Sequence, residues 1–438
     1  MFMDKLKEEF SRSYAHRILK LLFSDDYSMA LSETTVGKIS RKLYLPYATA
    51  LCLCAAIILY WYEGLIARYV PFLGQDFVAP SLIVIALIFI QKEKVIIRKF
   101  HLWYLGFLLI SLISAVFAVI SGLSGSMLIF GWAIFALFFF ALIASQSIKD
   151  KIQVLRGLVW ASVPISLVGI YQFFSESPKK EWFSAFEQAS GRAYGFFGSP
   201  NVLGILMCLV VFLSLGIYLR EKKNSYLVIT ALSALAIGLS LSRTAWLALF
   251  MGIAVAMLVY RPKWAVYTPL ALILLIVPKV RDRIFVLFSP NYLIDSSLDG
   301  RFWSYINGVY LFKKYPILGT GPGSYGGKLA QNYASPVYLQ GIQNGYTALY
   351  YTDNQYLEIL VQTGILGLTA FLGFAALVFA ALIKVFKEKR SFLALAGIAS
   401  FSAFFTSAFT ANVLEFSAIS ITLAVILGCV LGFDSDKL

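Results

Sequence analysis

Residues Leu227–Tyr260 read LVITALSALAIGLSLSRTAWLALFMGIAVAMLVY. Two apolar runs, Leu227 to Leu241 and Ala245 to Tyr260, are separated by Ser242-Arg243-Thr244, and Arg243 is the only charge in the stretch. A bilayer's hydrocarbon core takes about 20 apolar residues of helix, so the two runs with their flanks form a pair of spans joined by a tight turn. Lipid offers no partner to open backbone groups, which makes helix the expected conformation. An ionisable residue at such a junction points to function, with an arginine snorkelling to lipid headgroups as the alternative.

The same reading extends over the whole chain. Its 438 residues are 59% hydrophobic and 14% charged, with mean hydropathy +0.77, whereas a soluble domain carries about a quarter charged residues. Apolar stretches start near Tyr47, Phe77, Leu102, Ser126, Gln153, Asn201, Ser225, Thr244, Lys263, Asn354, Phe392 and Val413. The expected fold is all-α: a polytopic membrane protein with about 12 transmembrane helices and a helical extracytoplasmic cap loop. Residues 1–45 form a cytoplasmic amphipathic segment, 46–278 hold spans one to nine with an outer loop at 175–200, and 279–353 form the large outer loop. Residues 354–433 hold the last three spans, and 434–438 form a cytoplasmic tail.

The net charge of +14 would suggest nucleic acid in a soluble chain, but the position of the cations assigns it otherwise. Inner loops retain Lys and Arg. With the N-terminus inside, they carry Lys92, Lys94, Arg98 and Lys99; Lys149 and Lys151; Arg220, Lys222 and Lys223; Arg261 and Lys263; and Lys384, Lys387, Lys389 and Arg390. The outer turns Ser121–Ser126 and Thr410–Asn412 have no charge. Both termini are therefore expected in the cytoplasm, and no nucleic acid partner is expected. The tail places Phe10, Tyr14, Ile18 and Leu22 at helical spacing between Lys5, Lys7, Arg12, Arg17 and Lys20, a pattern for a helix lying on anionic membrane lipids or for a docking arm. No cleavable signal peptide is expected, because Met1 to Leu45 is polar.

Cys52, Cys54, Cys208 and Cys429 lie inside apolar runs, and the chain has only His16 and His101. No disulfide framework, metal site or cofactor is expected.

Three outward segments break the charge rule: 175–200, Ser242-Arg243-Thr244 and 279–353. Together they carry Lys179, Lys180, Arg192, Arg243, Lys279, Arg281, Arg283, Arg301, Lys313, Lys314 and Lys328. Cations that a topology signal would place inside call for an anionic partner outside, and the guanidinium fork suits phosphate. In the third segment Asp299-Gly300 opens a helix with Phe302, Ile306, Val309 and Phe312 on one face, ending before Pro316. Arg301 falls in its first turn, where backbone N–H groups also favour an anion.

Gly319 to Gly327 is glycine-rich but lacks the Gly-Lys-Ser/Thr ending of a nucleotide loop. It reads as a bent connector, with a phosphate cradle as the alternative. Tyr333, Tyr338, Tyr346, Tyr350 and Tyr351, interleaved with amides, suit either sugar rings or a membrane-surface belt. Thr352-Asp353-Asn354-Gln355 heads the tenth span: Thr352 and Gln355 have capping-box spacing, while Asp353 is alternatively a carboxylate able to accept a hydroxyl proton.

This succession resembles the O-antigen ligase and O-antigen polymerase superfamily. The carrying residues are Gly195-Phe196-Phe197-Gly198-Ser199-Pro200-Asn201, Ser242-Arg243-Thr244, Gly300-Arg301 with Trp303, Pro316-Ile317-Leu318-Gly319-Thr320-Gly321, Asp353-Asn354-Gln355-Tyr356-Leu357 and Gly364-Ile365-Leu366-Gly367. They cover Trp182 to Leu368; the first five spans match in hydropathy alone. The resemblance implies a bacterial inner-membrane glycosyltransferase of GT-C-like character. Its donor is an oligosaccharide on polyprenyl diphosphate, its acceptor a glycan or lipid, and it uses no metal or nucleotide sugar.

Arg243 and Arg301 match the family's outward arginines, and Asp353 stands where the ligases have the histidine of a His-Asn motif. An Asp-Asn form looks more like the polymerase branch. The resemblance then implies that Arg243, Arg301 and Asp353 are catalytic. It further implies that Arg192, Asn201, Trp303, Lys313, Lys314, Asn354 and Tyr356 contact substrate. A chain-length regulator and a flippase are the partner proteins such an enzyme would work with. A ligase, and a transporter that recognises lipid diphosphate without reaction, are the competing functions; against the transporter, the spans hold almost no internal ionisable residues.

Overall fold

The structure is a computed structural model. It describes residues 27–29, 48–69, 78–88, 95–123, 128–175, 191–263, 281–282, 285–286, 289, 301–332 and 352–432. The amphipathic tail helix, the ninth span after Lys263, Lys179, Lys180, Lys279, Arg283, Asp299-Gly300, the tyrosines from Tyr333 to Tyr351 and the tail after Gly432 lie outside the described residues.

Among the described residues, six helices are long and apolar enough to cross a membrane: Lys99–Ile120, Leu128–Gln146, Lys151–Phe174, Pro200–Glu221, Arg243–Tyr260 and Gln355–Lys389. Shorter apolar helices occupy Ala48–Trp61, Val78–Ile88, Asn224–Ser240, Phe392–Ser407 and Ser417–Gly432. The eleven helices begin close to eleven of the twelve apolar stretches read from the sequence, six of them at spanning length, and the last begins at Ser417 because Ala408 to Phe416 form a connection of their own. One departure from an all-helical chain is a short antiparallel ladder, Tyr27–Met29 paired with Val95–Ile97. The Val-Ile-Ile run is β-branched and stiff, which favours extended pairing at a helix entrance.

The Pro200 helix is apolar all round and is buried on all sides but its last turn and Leu215, as a helix surrounded by others must be. It packs against the Asn224, Phe392 and Lys151 helices, while the Arg243 helix lies on the Phe392 helix. Gly204 makes the close approach there: a Cβ would collide with Ala245 and Ser240, the small-residue contact by which membrane helices associate. The Ser417 helix, also buried almost throughout, packs on the Leu128 helix. The Lys99 helix instead turns Leu109, Leu112, Ile113 and Val116 outward.

The helix Gln355–Lys389 is two helices. Gly364 has φ 66° and ψ −171°, a region open essentially to glycine alone. Ile365 N–H donates to the Pro316 carbonyl at 2.9 Å, and Thr320 and Gly321 N–H donate to the Val361 and Gln362 carbonyls at 2.9 Å. The half-helix 355–363 is therefore laced to residues 316–321 before the long apolar stretch begins.

Candidate functional site

The site is built where this half-helix starts. Asn354 is its N-cap, the side chain accepting from Leu357 N–H at 3.0 Å. Asp353, one residue earlier, has φ 47°, a left-handed conformation that Asp tolerates better than most residues. That twist takes its carboxylate away from the helix end and toward Arg301. Arg301 donates from Nε to Asp353 Oδ2 at 2.7 Å, and Nη2 reaches the same oxygen at 2.7 Å. The two side chains keep 31% and 28% of their surface exposed, so the pair is reachable. Burial raises the Asp353 carboxyl above its ordinary value, against the charge and hydrogen bond of Arg301, which lower it. A carboxylate in that balance binds a proton more readily than an exposed one.

Arg243 begins its helix, half-buried, directly after the N-cap Ser242. Ser242 accepts from Ala245 N–H at 3.2 Å and donates to Asn201 Oδ1 at 2.7 Å. Asn201 belongs to the first turn of the Pro200 helix, so two helix N-termini meet at Arg243. Arg192 donates from Nε to the Ser240 carbonyl at 3.0 Å, binding the end of the preceding helix. The contact places Arg192 beside the turn as a support for Ser242-Arg243.

The connection between the last two helices joins these parts. Thr244 and Thr410 hydroxyls lie 2.8 Å apart. Asn412 accepts from Asn354 N–H at 3.1 Å and donates to the Gly326 carbonyl at 2.8 Å, an oxygen that also accepts from Thr352 N–H at 2.8 Å. A short path of contacts thus runs from the Arg243 turn through Thr410 and Asn412 to Asp353 and Arg301.

The glycine-rich segment Gly319–Gly327 is buried throughout, wedged where Gly131 approaches Pro322 and Gly323. It is an inward-packed connector, and the phosphate-cradle alternative is set aside because its Thr320, Gly321 and Ser324 amides already donate within the protein. Tyr325 in this segment donates to the Ser304 carbonyl, and burial raises its hydroxyl's pKa.

Of the remaining expected contacts, Trp303 is buried at 6% exposure and Tyr356 donates to the Phe405 carbonyl at 2.7 Å. Both serve packing in this state. The Arg301 helix buries Trp303, Ser304, Gly308 and Leu311 and exposes Phe302, Ile306 and Val309. Lys313 and Lys314 are exposed in its last turn, about 18 Å along the axis from Arg301 at 1.5 Å per residue. They do not converge with Arg301. The capping-box spacing of Thr352 and Gln355 forms no box: Asn354 caps the helix, and Gln355 Oε1 accepts from Leu414 N–H at 2.8 Å.

Sequence reasoning missed Thr410, Asn412, Glu358, Gln362 and Glu415. The available signal was Glu358 and Gln362 at i and i+4 near the start of an apolar helix, where polar side chains are costly. Among the described residues, no three His, Cys, Asp or Glu side chains gather as a metal site requires.

No curated protein matches this chain. Residues 227–372 match the family described as O-Antigen ligase. The interval begins with the Arg243 hairpin and ends beyond Gly364, enclosing Arg243, Arg301 and Asp353 and leaving out Arg192 and Asn201. The similarity to that family covers about a third of the chain, the part that carries the Arg243 turn and the Arg301–Asp353 pair.

Proposed function

We propose that the protein polymerises oligosaccharide repeat units carried on polyprenyl diphosphate into O-antigen, capsular or exopolysaccharide. The observation that carries the reading is the Arg301–Asp353 pair, joined by contacts to the turn that presents Arg243. An acceptor hydroxyl attacks the anomeric carbon, its proton passes to Asp353, and the bond from that carbon to the diphosphate oxygen breaks. Arg243 and the guanidinium N–H groups of Arg301 not held by Asp353 stabilise the departing charge. Attack opposite the leaving group inverts the anomeric centre. No metal is required in this scheme, since two arginines supply the positive charge.

In this reading the chain is a multi-pass protein with both termini cytoplasmic. The 279–353 segment caps the outer face, and the glycan is built outside. Substrate sugars lie along Asn354 and the Arg301 helix.

A second reading is a ligase that moves a finished glycan to a lipid or other acceptor. The description of the matched family favours it; Asp353 in place of a histidine favours polymerisation. Purified protein given a polyprenyl-diphosphate oligosaccharide separates them by product size. A ladder supports polymerisation, single transfer to an added acceptor supports ligation, and absence of released polyprenyl diphosphate overturns both in favour of a binding or transport role.

A further inference from the structure

Glu358 is buried at 1% exposure in the half-helix, and Gln355 Nε2 and Gln362 Nε2 donate to its two oxygens at 2.9 and 3.0 Å. Its side chain lies against Gly326, next to Gly327, where the carboxyl of Glu415 from the 408–416 connection sits, so the two carboxyl-bearing side chains are neighbours. Glu415 Oε2 accepts from Lys328 N–H at 2.7 Å, and a Cβ at Gly327 would overlap the Glu415 carboxyl. Gln362 donates as well to the Tyr325 carbonyl at 2.7 Å. Two carboxylates have acceptors only, so a hydrogen bond between them requires a proton on one.

We infer that Glu358 and Glu415 hold one proton between them, clamping the half-helix, the glycine-rich segment and the 408–416 connection together so that Asp353 and Arg301 stay in register. They are positioning residues, and their effect on turnover rests on the transfer reading above. The charged and titratable groups around the pair are Lys328 and Tyr325, with Tyr305 of the Arg301 helix next to Tyr325. The connection itself adds neutral Thr410 and Asn412, and the Arg301–Asp353 pair lies at the head of the same half-helix. Burial raises the Glu415 carboxyl above its ordinary range, against the Lys328 amide, Glu358 and the Lys328 charge, which lower it.

The folded chain then keeps a proton that the unfolded chain releases, so the clamp's stabilisation is present at low pH and is lost as pH rises through the pair's folded value. Glu415→Gln supplies a neutral donor of the same shape and makes that proton unnecessary.

The test uses the full-length protein in nanodiscs. Infrared difference spectra of wild type against Glu415→Gln should show a buried carboxylic-acid C=O band present in wild type and absent in the variant. Thermal unfolding should show wild-type Tm falling as pH rises, with a flatter dependence in the variant. Identical spectra together with identical pH slopes overturn the clamp. Glu358→Gln is the second variant should Glu415→Gln not fold, and the titration of the band in wild type stands without either. Polyprenyl-diphosphate release measured across pH should fall on the alkaline side in wild type and persist to higher pH in Glu415→Gln. Release with an unchanged alkaline limb overturns the positioning role. A proton-sharing signature with no release at all leaves the clamp standing and overturns the transfer reading instead.

Discussion

Asp353 and Arg301 are fifty-two residues apart in sequence and become one unit because Asp353 takes a left-handed backbone that leaves capping to Asn354. Removing Arg301 or Arg243 by alanine should lower turnover by about 10² to 10³-fold, the range for losing one donor to a developing charge. Polyprenyl-diphosphate release at saturating donor is the measurement, with expression level as the control. Asp353 also gives turnover a pH sign. A base must be unprotonated, so the rate should fall as pH drops through the Asp353 value, which burial sets above the ordinary carboxylate range. Arg301 opposes that rise, so Arg301→Ala should move the acid limb to higher pH. Asp353→Asn keeps a residue tolerant of the left-handed backbone and should abolish the acid limb together with most turnover. Full activity in that variant would remove Asp353 from the chemistry. These residues were legible beforehand because charge at a membrane boundary is costly and conspicuous. Asn412 was not, since a neutral amide in an uncharged turn carries no such mark until its partners are seen.

Among the elements, the broken helix sets the geometry. The hydropathy of Gln355–Lys389 reads as one long span, and nothing in a run of apolar residues marks where helical hydrogen bonding stops. Gly364 marks it in the structure, because its backbone lets the Pro316–Gly321 segment press against the half-helix that presents Asp353. Gly364→Ala should cost roughly 1–3 kcal/mol from the forbidden backbone region alone. The added Cβ would also run into the Ile317 carbonyl, which cannot swing aside as a side chain could. The expected outcome is a lowered Tm with loss of transfer activity. Gly367→Ala, whose Cβ meets the Thr363 side chain in place of a foreign backbone, should be milder in both measurements. Equal effects would show that the break at Gly364 does not position the site. The Arg301 helix carries the same lesson about faces. Its boundaries could be read from Arg301 and Pro316, but both sides carry aromatic residues, so spacing alone could not say that Trp303 and Leu311 turn inward while Phe302 and Ile306 turn out.

At the scale of the whole molecule, the arginine-bearing end is distinguished by what the opposite end holds. Lys99 and Lys151 open their helices beside the end of the last helix, where Arg98 donates to the Leu431 carbonyl and Gly432 abuts Lys151. The far end of the Lys99 helix meets Gly321 at Ala118, and the far end of the Lys151 helix holds Gly195 N–H through Gln172, next to the segment from which Arg192 braces the Arg243 turn. Short loops rich in Lys and Arg stay in the cytoplasm, so the Lys99 end should be inside and the Asp353 end outside. The alternation of cations along the chain predicts this separation; the contacts that gather distant segments at one end depend on tertiary packing. Single cysteines at exposed Lys222 and exposed Lys314, in a background whose four native cysteines are replaced by alanine, report the two ends. In intact spheroplasts a membrane-impermeant maleimide should label the Lys314 position and spare the Lys222 position until the membrane is opened. The reverse pattern would put Asp353 and both arginines in the cytoplasm, where a glycan assembled on the outer face could not reach them, and the transfer mechanism would fall with the orientation.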